Sequence, residues 1–358
     1  MNESSTISNT ALKTTDRPLQ TMASTKKTIA IVGATGTQGA SVARTFLRLP
    51  NWHVRCLTRN PASEKARQLA EQGSEVVEAD LNDEESLRQA FAGANAIFLN
   101  TDFWQPYRDA LASGADDQTS AKQGYKVEIT HGENAANVAA TIPTLEKFIY
   151  SALGPMKKAS GGKYSDCNHW ETKAHIVDYI ETQKPELAKK TSFIYVACYI
   201  SNPFLYPKFQ PENKQFVSVM PASKAMRMPI IDTARSTGPF VRGLVEDEAA
   251  GMKLLAYDDY ISVEELMKAW SRVLGRQVEF IQMTIKDMNE KLGIPVEILG
   301  GPAFINEFGY SAGLENIVEP AQLKSRVQGQ KFEEWLNSQD VAELLGLKDL
   351  NNWDGLVQ

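Results

Sequence analysis

Cysteine is scarce in this chain of 358 residues: Cys56, Cys167 and Cys198 are its three. They are too few and too scattered for a disulfide framework or a thiolate metal site, and they fit a reducing, intracellular compartment. The four histidines (His53, His131, His169, His175) argue against a multi-histidine metal centre, so no metal is expected. No apolar run approaches the roughly 18 residues of a membrane span. A positive balance is also missing. Thirty-eight lysines and arginines against 44 acids leave a net charge of −6, so there is no global footprint for nucleic acid or for an anionic membrane. Residues 1–25 lack the apolar stretch of a signal peptide, and Glu3 and Asp16 argue against a transit peptide. They read as a disordered tail, and the chain is expected in the cytoplasm.

What is present is a sizeable apolar fraction, 42%. At roughly 150 residues per domain, the length fits two domains or one α/β domain with an added lobe. Order begins at Lys26. Thr28-Ile-Ala-Ile-Val32 is a short β-branched run, hence a buried strand, and it enters Gly33-Ala-Thr35-Gly36-Thr37-Gln38-Gly39. The segment from Ala40 to Leu47 then has helical spacing. Strand, glycine turn and helix together are the layout of a dinucleotide site. The glycines allow a tight turn, a close approach to the pyrophosphate and close packing of helix on strand, while helix-start N–H groups face the phosphates. The spacing is G-x-x-G-x-x-G rather than G-x-G-x-x-G.

The second strand, His53–Arg59, ends 20 residues beyond Gly39, where NAD-binding proteins usually place an acid for the ribose 2′-hydroxyl. Arg59 stands there instead. A guanidinium pairs with a 2′-phosphate that a carboxylate would repel, so NADP(H) is preferred over NAD(H). Glu75–Asp80 is a third strand, with Leu81 placed along the adenine and Asp80 toward its amino group. Ala96–Asn100 is a fourth, bringing Asn100 and Thr101 to the ligand-binding edge of the sheet. Residues 105–126, polar and glycine-containing, read as a surface loop or lid. Lys147–Ala152 is a fifth strand with Ser151 at its end, Asn168–Ile180 a helix, and Ser192–Ala197 a sixth strand.

His169 and Lys173 lie at i and i+4 of that helix and share a face. The glycine turn, Ser151 and Lys173 resemble the short-chain dehydrogenase/reductase superfamily, whose Tyr-x-x-x-Lys motif here reads His169-Trp-Glu-Thr-Lys173. With Val54–Arg59, Thr101-Asp-Phe103-Trp104 and Pro229-Ile-Ile-Asp-Thr233 before Thr237-Gly238, residues 26 to about 285 resemble the NmrA-like group of atypical short-chain dehydrogenases. The resemblance implies a Rossmann-type, doubly wound parallel α/β sheet with a smaller, mostly α-helical or irregular second lobe. It implies that Gly33, Thr35, Gly36, Thr37, Gln38 and Gly39 form the phosphate loop and Arg59 meets the adenosine ribose. Asn100, Thr101 and Phe103 wall the nicotinamide, Lys173 holds the nicotinamide ribose, and Tyr199, Ile200 and Asn202 close over the ring. The group contains reductases, and also NAD(P)-binding proteins that regulate transcription factors by protein contact; for a regulator, the nucleus is open as well as the cytoplasm.

Reduction of a carbonyl or imine needs a proton donor. With histidine at the tyrosine position, three arrangements remain open. His169 donates; or Lys173, Tyr164 or Tyr199 does; or no donor exists and the site senses cofactor. After Pro203 the chain is proline-rich, and Phe204, Tyr206, Phe209 and Phe216 either line a substrate pocket or pack the lobe. The expected organisation is a nucleotide-binding domain over residues 26–200, with strands from about 229–260 rejoining its sheet. Residues 201–228 and 261–358 form the second lobe. The leading function is an NADP(H)-dependent reductase of a small organic substrate. The alternative is a sensor that binds a regulatory protein partner without touching nucleic acid. Oligomeric state is not legible.

Overall fold

The computed structural model describes Met1 and residues 26–347; the expected tail falls outside them. The chain starts as alternating strands and helices: β1 (Lys27–Ile31), α1 (Thr37–Leu47), β2 (Trp52–Thr58), α2 (Glu64–Glu71), β3 (Glu75–Glu78), α3 (Glu84–Phe91), β4 (Ala96–Leu99). It continues through α4 (Trp104–Ala112), α5 (Asp117–Ala139), β5 (Lys147–Ala152), α6 (Met156–Ala159), α7 (Asn168–Gln183), α8 (Pro185–Ala188) and β6 (Thr191–Val196). The remainder is β7 (Cys198–Tyr199), β8 (Lys208–Gln210), β9 (Gln215–Met220), β10 (Arg227–Ile231), α9 (Thr233–Glu246), β11 (Lys253–Ala256) and β12 (Asp259–Ser262). Then come α10 (Val263–Leu274), β13 (Val278–Gln282), α11 (Ile285–Leu292), α12 (Val296–Phe308), β14 (Ile317–Val318), α13 (Phe332–Asn337) and α14 (Val341–Leu344).

Eight strands form one sheet in the order β14-β11-β6-β5-β4-β1-β2-β3, and every pair in it is parallel. Its strands are apolar on both faces because helices cover both. Ile29, Ile31, Ile149 and Ile194 point to the α1 and α9 side. Ala30, Phe148, Tyr150 and Tyr195 point to the other, where the core runs on into the second lobe through Trp270 and Phe332. The strand order reverses between β1 and β4, and a ligand crevice opens at the carboxyl ends of strands at such a point. The Rossmann-type expectation therefore holds.

Two expectations need correction. Residues 105–126 are mostly helical, within α4 and the start of α5. Asp116, which looked like a loop acid, caps α5 by accepting the Thr119 N–H. Gly124, which looked like a turn glycine, lets the Phe103 ring lie against α5; a Cβ there would sit 2.8 Å from Phe103 Cε2. Of the strands over 229–260, β11 joins the main sheet, whereas β10 pairs with β12 and β7 in a separate sheet of three. Within β10, Pro229 has no N–H to donate; it lies opposite Tyr260 of β12, while β7 pairs only with Ile230 and Ile231. The proline-rich stretch also supplies β8 and β9, which pair with each other, and β9 pairs in turn with β13.

Candidate functional site

The crevice begins at the glycine turn. Gly33 has φ +73°, a backbone state natural to glycine, and a Cβ there would lie 3.3 Å from the Asn100 carbonyl. A Cβ on Gly39 would lie 2.3 Å from Gly33 O and 2.6 Å from Gly33 C, so α1 starts directly on the turn. Its N-cap, Gly36, offers no side chain to the first N–H groups. They are left to a ligand, and an anion is the natural one.

From this turn one cavity of about 1520 Å³ extends across both lobes. It exceeds the roughly 300–1,000 Å³ of a single small-ligand pocket, which leaves room for a dinucleotide and a second molecule. Gly33, Thr35, Gly36, Thr37, Gln38, Arg59, Asp80, Leu81, Asn100, Thr101, Phe103, Ser151, His169, Lys173, Tyr199 and Asn202 all line it. Gly39 does not; it is buried beneath the turn. Arg59 is exposed and makes no hydrogen bond or ion pair within the described residues, and Lys65, which sequence reading missed, lines the same end. Two buried polar atoms on the lining residues lack protein partners: Gln38 Oε1 and His131 Nε2. Burial lowers the His131 pKa, with Asp80 opposing and Arg59 adding to the effect. Orphaned polar groups, free helix-start amides and a cradle that a Cβ would fill all fit a phosphate-bearing dinucleotide.

The helix α7 carries His169 and Lys173 into the cavity wall, and each is held by a carboxylate that sequence reading did not find. Lys173 Nζ lies 3.0 Å from Glu128 Oε1, with side-chain exposures of 13% and 0%. It also donates to Thr101 O and Thr101 Oγ1, each at 3.1 Å. Glu128 further accepts the Thr101 hydroxyl at 2.7 Å and the Thr172 hydroxyl. His169 Nδ1 is 2.6 Å from Glu297 Oε1, and its ring packs on Trp104 at 4.9 Å and Phe103 at 6.0 Å. No sequence motif flags Glu128 or Glu297; the signal for Glu297 is an acid among small and apolar residues of a helix, before Ile298-Leu-Gly-Gly.

Ser151 is buried at the end of β5 and bonds to neither His169 nor Lys173. Tyr199 accepts from Gln38 Nε2 at 2.5 Å, joining the phosphate loop to the strand beyond β6. Asn202 caps the following turn through the Phe204 N–H. Tyr164 does not reach the cavity. Its hydroxyl donates to Glu307 at 3.0 Å, and burial with that bond pushes its pKa up to about 12. Of the aromatics after Pro203, Phe204 and Tyr206 line the cavity, whereas Phe209 and Phe216 pack on each other at 5.2 Å. The far end is apolar, formed by Met220, Met226, Met228, Met288 and Ile298.

No helix among the described residues is long and apolar enough to cross a membrane. The chain is similar to the NmrA-like family domain-containing oxidoreductase hkm9 of Aspergillus hancockii, at 28% identity over 287 residues, 76% of this chain and 80% of that protein. Its fold is shared with NmrA, a negative transcriptional regulator solved in complex with NAD. That match has 21% identity, a TM-score of 0.65, and covers 90% of this chain and 97% of the other. The fold is also that of the Escherichia coli NADPH-dependent quinone oxidoreductase QOR2 complexed with NADPH. There identity is 18% and the TM-score 0.62, over 86% and 98% of the chains. The NmrA-like family model matches residues 25–336, and the chain belongs to the NmrA-like family.

Proposed function

We propose that the protein is an NADP(H)-dependent reductase that delivers hydride to a small organic substrate. The observation that carries this reading is the continuity of the cavity, from the phosphate turn past Lys173 and His169 into the chamber of Met220, Met226, Met288 and Ile298. A bound nicotinamide supplies the hydride. The chain's own groups do the rest. The amides after Gly36 hold the pyrophosphate, and Arg59 with Lys65 meets the 2′-phosphate. Asp80 and Leu81 flank the adenine. Thr101 and Phe103 wall the nicotinamide, Lys173 reaches its ribose, and Tyr199 and Asn202 close the site. The methionines, flexible and polarisable, fit a bulky apolar substrate and exclude water from it. The NADPH complex of QOR2 and the oxidoreductase name of hkm9 are consistent with this reading.

A second reading rests on His169 at the tyrosine position: a cofactor-sensing regulator that docks on a protein partner. The test is a panel of apolar ketones, imines and quinones incubated with NADPH or NADH, following loss of the reduced nicotinamide absorbance and measuring the Kd of each cofactor by titration. The reductase reading expects turnover and tighter NADPH. Tight cofactor binding with no turnover across the panel would leave the regulator.

A further inference from the structure

We propose that His169 is the proton donor to the substrate and that Glu297, reaching in from α12, is the residue that positions it. The inference rests on the reductase reading above and names the acid that reading requires.

Glu297 is 2% exposed, and each of its oxygens accepts two hydrogen bonds from the first turn of α7. Oε2 takes the Asn168 N–H and Asn168 Nδ2, both at 2.9 Å. Oε1 takes the His169 N–H at 2.8 Å and faces ring Nδ1 at 2.6 Å. Burial pushes the Glu297 pKa up, yet the bonds and charge of His169 outweigh it and hold the carboxyl below its ordinary value. An anionic Glu297 cannot donate, so Nδ1 carries the hydrogen between them. Nε2 is then the ring nitrogen left for chemistry. It has no protein partner within the described residues, and the ring lines the cavity, braced by Trp104 and Phe103.

Two competing donors are committed elsewhere: Lys173 is turned to Glu128 and Thr101, and Tyr164 lies outside the cavity on Glu307. Tyr199 accepts from Gln38 Nε2 and keeps its own O–H, so Tyr199→Phe is the control and should hold kcat within about three-fold of wild type. The other ionisable groups around the dyad are Tyr107 of α4, whose hydroxyl is bonded to Asp117, and Cys167, whose thiol burial keeps protonated. Neither is placed to take the proton from Nε2.

The step balances simply. The Nε2–H bond of the imidazolium breaks and an O–H or N–H bond forms on the substrate heteroatom. The adjoining carbon gains a C–H bond with the electron pair of the hydride. The π bond opens, the reduced nicotinamide is oxidised, and neutral His169 recovers its proton from solvent. Because the positioning carboxylate sits on α12 while the acid sits on α7, the lobe that shapes the substrate chamber also sets the acid.

The test compares wild type with Glu297→Gln and His169→Phe, with thermal unfolding as the check on folding. The panel above supplies a substrate. His169→Phe is expected to lower kcat by about 100-fold or more with little change in NADPH Kd. Glu297→Gln keeps an acceptor for α7 but removes the charge. It is expected to move the alkaline limb of the kcat–pH profile to lower pH and, without cofactor, to abolish the slowly exchanging His169 Nδ1–H resonance in proton NMR. If wild type turns over but His169→Phe keeps kcat within about three-fold, or if Glu297→Gln leaves both limb and resonance in place, the proposal is overturned and the reductase reading stands. If wild type reduces nothing in the panel, the reductase reading falls and takes this assignment with it.

Discussion

Replacing Lys173 by methionine tests the buried ion pair beneath the site. Glu128 is fully buried and Lys173 is 13% exposed. Removing the ammonium leaves a carboxylate with no counter-charge in the interior, a change that costs about 3–5 kcal/mol in comparable pairs. Two hydroxyls, from Thr101 and Thr172, still donate to Glu128, which places the loss near the lower end, about 3 kcal/mol. For a chain of this size, at about 2.1 cal/mol/K of unfolding entropy per residue, each kcal/mol moves Tm by only about 1–1.5 °C, so Lys173→Met should melt roughly 4 °C below wild type. Glu128→Gln leaves an ammonium that still meets Thr101 O and Oγ1 and the cavity, and should cost less, about 1–2 kcal/mol. The double variant should cost less than the sum of the two, by a coupling of about 1–3 kcal/mol. The assay is urea unfolding of all four proteins at fixed pH, with calorimetry in parallel. Additive costs, or a Lys173→Met variant within about 1 kcal/mol of wild type, would refute the pair. The result also governs how activity is read. A Lys173 variant that loses turnover has lost folding stability as well as a cofactor contact, and the double variant separates the two.

Gly39→Ala should abolish dinucleotide binding by calorimetry, because its Cβ meets backbone at 2.3 Å and 2.6 Å that cannot move without opening the turn. Arg59→Ala should weaken NADPH by about 10- to 100-fold and leave NADH nearly unchanged in the same titration, the size of a charge-assisted bond. Asp258 is raised from 3.8 to about 6, chiefly by burial. Its contribution is therefore greatest below about pH 4 and is lost as pH rises through about 6. Asp258→Asn should gain about 1–2 kcal/mol at pH 8 and nothing at pH 4 in urea unfolding.

Much of the fold was legible because its signals are local. The run from Thr28 to Gly39 combines a buried strand with glycines whose spacing the turn itself demands. Ser262 and Glu265, spaced as S-x-x-E, form a capping box at the start of α10. The lid over 105–126 misled because Gly124 and Asp116 are loop residues by habit, yet here one receives an aromatic ring and the other caps a helix. Glu128 and Glu297 were out of reach for a different reason. Glu297 meets His169 across 128 positions of sequence, and nothing near either residue announces the meeting. His169-x-x-x-Lys173 could be found by spacing on one helix, but its partners arrive by tertiary packing from α5 and α12.

Those partners also change where positive potential lies. A chain of net charge −6 that takes a polyanionic cofactor needs local cations, and Arg59, Lys173 and the amides after Gly33 are the residues to expect. Lys173, however, is neutralised at 3.0 Å by Glu128, and His169 faces Glu297. The two basic groups of α7 are therefore each paired with an acid, while Arg59 and Lys65, which have no ion pair within the described residues, line the cavity together with the open N-terminus of α1. Such a field orients a dinucleotide before it seats, with phosphates drawn to one end and the uncharged ring of a reduced nicotinamide to the other. In the methionine-lined chamber an apolar group gains by burial. The pairing of His169 and Lys173 with buried acids thus fixes both side chains in place.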